Sequence, residues 1–183
     1  MGCQSTDDRG YSLGIDENQF IKIKNTKSRL MRNKHTLKLG NINTTTCKTD
    51  EKLVQSVLAV KNLGQQMCVF SETHRVSVGV ELIENWPVKA ELSGWKFIGT
   101  GNEKKAQSGV GIVLGPDVKL IETEVILKSR ILYARIVFRG VKIQIFAVYA
   151  PTNMQGETTK SDFFRKLKKS VVEKSENTKS GQN

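Results

Sequence analysis

Ser129 to Asn153 reads SRILYARIVFRGVKIQIFAVYAPTN. Two β-rich runs, Ile131–Phe138 and Val141–Tyr149, are separated only by Arg139-Gly140. Two residues ending in glycine between such runs predict a tight β-hairpin. In the second run Val141, Ile143, Ile145, Ala147 and Tyr149 share one face, and Lys142, Gln144, Phe146 and Val148 share the other. That second face turns from polar to apolar, so burial deepens toward Tyr149. Ala150-Pro151-Thr152 then ends the strand, because proline cannot donate a ladder hydrogen bond. A long buried strand therefore delivers a tyrosine and a polar loop to one edge of a sheet, where α/β proteins place chemistry; the alternative is an ordinary core hairpin whose end carries nothing.

Upstream, Leu37–Ile42 is expected as the first strand, running into the polar loop Asn43-Thr44-Thr45-Thr46. Thr49 or Asp50 caps a helix over Glu51–Leu63, with a buried stripe of Leu53, Val54, Val57, Leu58 and Val60 and a stop at Gly64. Met67–Ser71 is short and apolar, a buried strand ending at Glu72. Strand, helix, strand is a βαβ-like start that brings Asn43 and Glu72 to one rim. Val76–Trp86 reads as a loop or a short helix. Trp95–Thr100, Gly109–Leu114 and Lys119–Leu127 read as strands, and Asp162–Val172 as a helix capped by Ser161. Residues 1–36 form a basic segment expected to be disordered, 37–172 a domain, and 173–183 a polar, disordered tail.

The formal net charge of +11 favours polyanionic partners, whether DNA, RNA or an acidic membrane surface, or else marks a solvated basic surface that aids solubility. Cys3, Cys47 and Cys68 form no Cys-x-x-Cys pair, which argues against a zinc finger or a disulfide framework. No apolar run reaches the roughly 20 residues of a membrane-spanning helix, and no apolar signal core opens the chain. The expected location is intracellular, nuclear or cytoplasmic, and not secreted. Met1-Gly2-Cys3-Gln4-Ser5-Thr6 fits the N-myristoylation pattern, but Asp7 and Asp8 follow at once, and membrane anchoring is not the expected reading.

A glutamate after a strand is commonly a solvated carboxylate or a helix cap; the alternative chemistry at this rim is that of a hard cation and a phosphate. Mg²⁺ takes one or two carboxylates on a fixed element, with water and phosphate oxygens completing its shell. Glu72 supplies a carboxylate at a strand end, Asn43 an amide, and Tyr149 a hydroxyl donor. His74 and Arg75, with Lys104 and Lys105 on a separate loop, are candidates for contact with a nucleic-acid backbone.

Four segments in order carry a resemblance: Gly40-Asn41-Ile42-Asn43, Val69-Phe70-Ser71-Glu72-Thr73, Ser108-Gly109-Val110-Gly111-Ile112-Val113 and Val148-Tyr149-Ala150-Pro151-Thr152. The chain resembles the endonuclease/exonuclease/phosphatase superfamily, typified by DNase I. It is closest to the endonuclease domains of non-LTR retrotransposons and to the craniofacial development protein 2-like proteins derived from them. The resemblance covers about Leu37 to Leu167. It implies a four-layer αββα sandwich and a Mg²⁺-dependent phosphodiesterase that nicks DNA. It makes Asn43 the active-site asparagine, with Asn41 an alternative, Glu72 the metal-binding glutamate and Tyr149 the phosphate-contacting tyrosine.

The sequence departs from that family in two places. Ile42 precedes Asn43 where a tryptophan is common. The Gly-Asp-Phe-Asn segment and the terminal Asp-His pair do not occur: the histidines are His35 and His74, and neither follows an aspartate. The expectation is roughly the first half of a sandwich, a truncated endonuclease domain with weak or no activity, because phosphodiester cleavage needs a positioned nucleophile as well as a metal clamp. The alternative is a non-catalytic, basic nucleic-acid-binding protein. An uncovered sheet face would also favour self-association.

Overall fold

The structure, a computed structural model, describes residues 36–84, 86, 90–104 and 108–180, with side chains up to residue 176. The readings of the N-terminal segment, including Gly2, and of Lys105 lie outside the described residues. The elements are β1 (Leu39–Asn43), α1 (Asp50–Asn62), β2 (Met67–Ser71), β3 (Glu81–Ile83), a short 3-10 turn (Ala90–Leu92), β4 (Lys96–Thr100), β5 (Val110–Leu114), β6 (Val118–Leu127), β7 (Ile131–Phe138), β8 (Val141–Val148) and α2 (Glu157–Ser180). The class is α/β. Among the described residues, no helix is long and apolar enough to cross a membrane.

Two sheets form, in the orders β1-β2-β5-β4-β3 and β6-β7-β8. The β1–α1–β2 unit is parallel, as its strand–helix–strand pattern requires, and the other pairs are antiparallel. The β7–β8 hairpin turns on Arg139 (φ 48°) and Gly140 (φ 82°). Both lie in the left-handed region that a two-residue turn of this hand demands.

Alternation along the strands sorts the two cores. Met67, Ile98, Val110, Ile112 and Leu114 of the first sheet meet Leu132, Ala134, Ile136, Ile145 and Ala147 of the second. On the other side of the first sheet, Cys68, Phe70, Phe97 and Val113 pack against Leu53, Val54, Val57 and Val60 of α1. Thr49 is the N-cap of α1, its hydroxyl accepting from the Lys52 amide. On the outer face of the second sheet, α2 is held by Lys174, whose Nζ lies 4.5 Å from the centre of the Tyr133 ring and pairs with Glu122 and Glu124.

Several elements differ from the sequence reading. Part of Val76–Trp86 is strand, because Glu81–Ile83 finds an antiparallel partner in β4. Helix α2 starts at Glu157, so Ser161 lies inside it rather than capping it. The helix also continues through residues 173–180, read as a polar tail, because Lys174 and Gln144 give that stretch partners on the sheet. The Gln144 amide donates to the Lys174 carbonyl at 2.8 Å. The inner face of the first sheet is not bare: β6, β7 and β8 cover it.

Candidate functional site

β1 and β2 end at one rim of the first sheet, their parallel register setting Asn43 beside Ser71. Asn41 pairs one step back, with Val69. Of the two asparagines, Asn43 is the one at the rim. β8 ends at the matching rim of the second sheet. Its inward face runs through Ile143, Ile145 and Ala147 to Tyr149, which packs at the margin of the inter-sheet core. Across the two rims, Tyr149 Oη donates to Glu72 Oε1 at 2.9 Å.

The loops around that bond are tied to one another. Thr44 donates from its amide to Ser71 O (3.0 Å) and from its hydroxyl to Glu72 O (3.2 Å). The Cys47 amide donates to Thr73 O at 2.8 Å. The Thr73 and His74 amides donate to Gly109 O and Ser108 O at 3.3 and 2.7 Å. The hydroxyls of Ser108 and Ser129 lie 3.0 Å apart. Thr45, Glu72, His74, Ser108 and Ser129 all hold φ between 53° and 57°. Such conformations cost energy for residues with a Cβ and concentrate at functional sites. The other non-glycine residue of this kind among those described, Arg139, belongs to the hairpin turn.

The expected site residues separate into three groups. Glu72 and Tyr149 touch. Asn43 is close by, but its Oδ1 accepts from the Thr45 amide at 2.9 Å, so it shapes the loop. His74 lies half-buried on the same loop as Glu72. Arg75 does not join them. Its side chain is buried and donates to Glu81 through Nε, to Cys47 O through Nη1 at 3.0 Å and to Asp50 Oδ1 through Nη2 at 2.8 Å. That commitment leaves it holding the fold rather than facing a nucleic-acid backbone. Lys104 is exposed on the loop after β4, in a shallow depression shared with Asn102, Glu103, Lys128 and Ser129.

Arg130 was missed by the reading from sequence. Its Cζ sits 5.1 Å from the centre of the Tyr149 ring. Its Nη1 donates to the carbonyls of Tyr149 (3.2 Å) and Ala150 (3.0 Å). The signal was available: a two-residue turn at Arg139-Gly140 fixes the hairpin register, and counting back from Ile131 opposite Val148 sets Arg130 opposite Tyr149.

Burial, the hydrogen bond to Glu72 and the charge of Glu72 raise the Tyr149 phenol above its ordinary value, against the opposing pull of Arg130. The hydroxyl therefore stays protonated at neutral pH and acts as a donor. For a metal, the rim offers hard oxygen donors. Glu72 keeps Oε2 uncommitted, while the Asn43 amide oxygen is engaged with Thr45. Among the described residues, no three histidine, cysteine or acidic side chains gather to hold an ion by themselves. This donor set fits a largely hydrated Mg²⁺ shared with a phosphate and does not fit an ion caged by protein alone.

No family model matches the chain, and no curated protein matches it. It is similar to two solved structures of D. rerio TDP2. One is humanised by 14 mutations: identity 16%, TM-score 0.47, covering 69% of this chain and 56% of that one. The other is complexed with single strand DNA product: identity 16%, TM-score 0.47, covering 74% of this chain and 53% of that one. The chain thus spans just over half the length of each, and at a TM-score below 0.5 neither likeness carries an argument.

Proposed function

We propose that the chain is a Mg²⁺-dependent endonuclease domain of the endonuclease/exonuclease/phosphatase superfamily, of retrotransposon origin, built to nick DNA. The stacking of α1, the two sheets and α2 is read as about the first half of its four-layer αββα sandwich. The carrying observation is the bond from Tyr149 to Glu72, which joins the rims of the two sheets beside Asn43. In this reading Glu72, with the Asn43 amide nearby, holds the ion. Bound there, Mg²⁺ would neutralise charge on a phosphate oxygen. The Tyr149 hydroxyl, a single donor, would pass its hydrogen bond from Glu72 to an oxygen of the same phosphate, and His74 and Lys104 flank the DNA backbone.

These 183 residues hold neither a Gly-Asp-Phe-Asn segment nor an Asp-His pair. Groups that act as a unit lose most of their effect when some are absent, so the 183 residues alone are expected to cleave weakly or not at all. The test is nicking of supercoiled plasmid with and without Mg²⁺, by the chain and by Glu72→Ala. Trace nicking or none is expected, with any trace lost in Glu72→Ala. Robust cleavage that needs Glu72 would overturn the incompleteness, and cleavage indifferent to Glu72 would overturn the site. A second arm adds Mn²⁺ and follows NMR line broadening, expected first at Glu72 and Tyr149 and absent in Glu72→Ala.

The net charge of +11 keeps a second reading open, that of a non-catalytic nucleic-acid binder. Its mark is DNA affinity that falls steeply with salt and ignores Mg²⁺.

A further inference from the structure

We infer that Arg130 is the positioning residue that holds the Tyr149 hydroxyl on Glu72. The inference rests on the reading of Glu72 and Tyr149 as the phosphate-facing pair, and it goes beyond that reading by saying what keeps the pair assembled.

Tyr149 lies one residue beyond the end of β8. Past it, Pro151 cannot donate to a ladder, so no further strand pairing holds this backbone from the C-terminal side. What holds it is the turn before β7. The Tyr149 amide donates to Arg130 O at 2.8 Å, which extends the hairpin by one pair. The Arg130 side chain then folds back over the same residue. One nitrogen, Nη1, donates to two successive carbonyls, those of Tyr149 and Ala150. The guanidinium face covers the phenol ring at 5.1 Å, within the range of a cation–π contact. Backbone and ring are thus gripped from one side, and the hydroxyl is left pointing across the inter-sheet gap to Glu72. Turn and arginine are themselves anchored, since Ser129 O accepts from the Gly109 amide at 3.0 Å and the Ser129 hydroxyl meets that of Ser108.

A lysine would keep the charge and lose the planar guanidinium, which sets one nitrogen on both carbonyls while lying over the ring. A nearby cation that did not position the ring would act on the phenol by charge alone. The two roles predict different responses. If Arg130 only lends charge, removing it leaves the ring where it is. If Arg130 holds the hydroxyl on Glu72, removing it frees the ring into water, away from the carboxylate.

The experiment labels the tyrosine rings with carbon-13 and follows, by NMR in the full chain at one fixed neutral pH, the nuclear Overhauser contacts between the Tyr149 ring and the Glu72 side chain, with Tyr149→Phe assigning the signal. Arg130→Met is expected to lose those contacts and to free the ring's motion. Arg130→Lys should fall between wild type and Arg130→Met. Contacts that persist unchanged in Arg130→Met overturn the inference. If that variant does not fold, Arg130→Gln is read by the same rule, with a smaller loss expected, because its amide still reaches a carbonyl. The measurement needs neither metal nor DNA. If the contacts are lost while Mn²⁺ broadens nothing at Glu72, the proposed function fails and the positioning role stands. If Mn²⁺ binds at Glu72 while the contacts persist in Arg130→Met, the reverse holds.

Discussion

Glu72 and Arg75 leave β2 on the same short loop, and both read from sequence as candidates for a phosphate or nucleic-acid site. They end in opposite circumstances. Arg75 is buried, with its charge divided between Glu81 and Asp50 and a further donor spent on Cys47 O. Burial opposes its charge, but the bonds to Glu81 and Asp50 outweigh that and hold the guanidinium firmly protonated. Glu72 sits half-buried in a left-handed conformation, one oxygen bound to Tyr149 and the other uncommitted. A charged group whose bonds are all spent inside the protein stabilises the fold. A group held in a costly conformation with an oxygen to spare is a candidate for binding a ligand.

Substitution should separate the two. Arg75→Met leaves Glu81 without its partner and the Cys47 carbonyl unpaired. The expected loss is about 3 kcal/mol, the low end for breaking a buried ion pair, since Asp50 is largely in water. Joint replacement of Arg75 and Glu81 by methionine should cost less than Arg75→Met alone, because no charge is then stranded. Glu72→Gln keeps the hydrogen bond from Tyr149 and should move stability by no more than about 0.5 kcal/mol. Urea denaturation of the four proteins measures all of this. A Glu72→Gln loss as large as that of Arg75→Met would erase the distinction.

Between the two lies Thr73, and against it Gly109. Gly109 holds φ at +106°, and a Cβ built there would stand 2.3 Å from Thr73 Oγ1. Gly109→Ala is therefore expected to cost about 2 kcal/mol in strain and displaced packing. The push falls on the loop that carries Glu72, so the Tyr149 ring signal should shift in the same variant. Destabilisation with an unmoved Tyr149 signal would show that Glu72 is not coupled to this contact.

How far such a site can be read in advance depends on the range of the interactions that build it. The β7–β8 hairpin was legible because one turn, Arg139-Gly140, sets the register of every pair. Helix α1 was legible because its stripe repeats at helical spacing and meets an apolar sheet face. Glu72 and Tyr149 were each legible as strand-end residues, but their contact across the two sheets was not, because the residues are far apart in the chain. β3 was not legible, because its partner β4 lies across a loop and only Glu81–Ile83 pairs with it. Arg75 was misjudged because nothing local shows that Glu81, Asp50 and Cys47 O converge on it. The length of α2 was missed for the same reason: residues 173–180 look polar, and their anchor is a cluster on β6 distant in sequence.

That anchor yields the smallest of these effects and the only one set by pH. The hydrogen bond from Lys174 holds the Glu122 carboxylate below its ordinary value, aided by the charges of Lys174 and Arg135. A lowered carboxylate contributes stability that is present above the unfolded value, near pH 4, and lost as pH falls through the folded one. Burial opposes the charge of Lys174, but its bonds to Glu124 and Glu122 outweigh that and raise it. A raised lysine contributes stability that is present below its unfolded value, near 10.4, and lost as pH rises through the folded one. The C-terminal half of α2 should accordingly be best protected from about pH 5 to pH 10. Hydrogen exchange at the amides around Lys174, corrected for the intrinsic rate, should quicken on the acid side first, since the Glu122 carboxylate is protonated there. Glu122→Gln should flatten that acid limb while leaving the Tyr149 rim unchanged. An acid limb that persists in Glu122→Gln would place the anchor of α2 elsewhere.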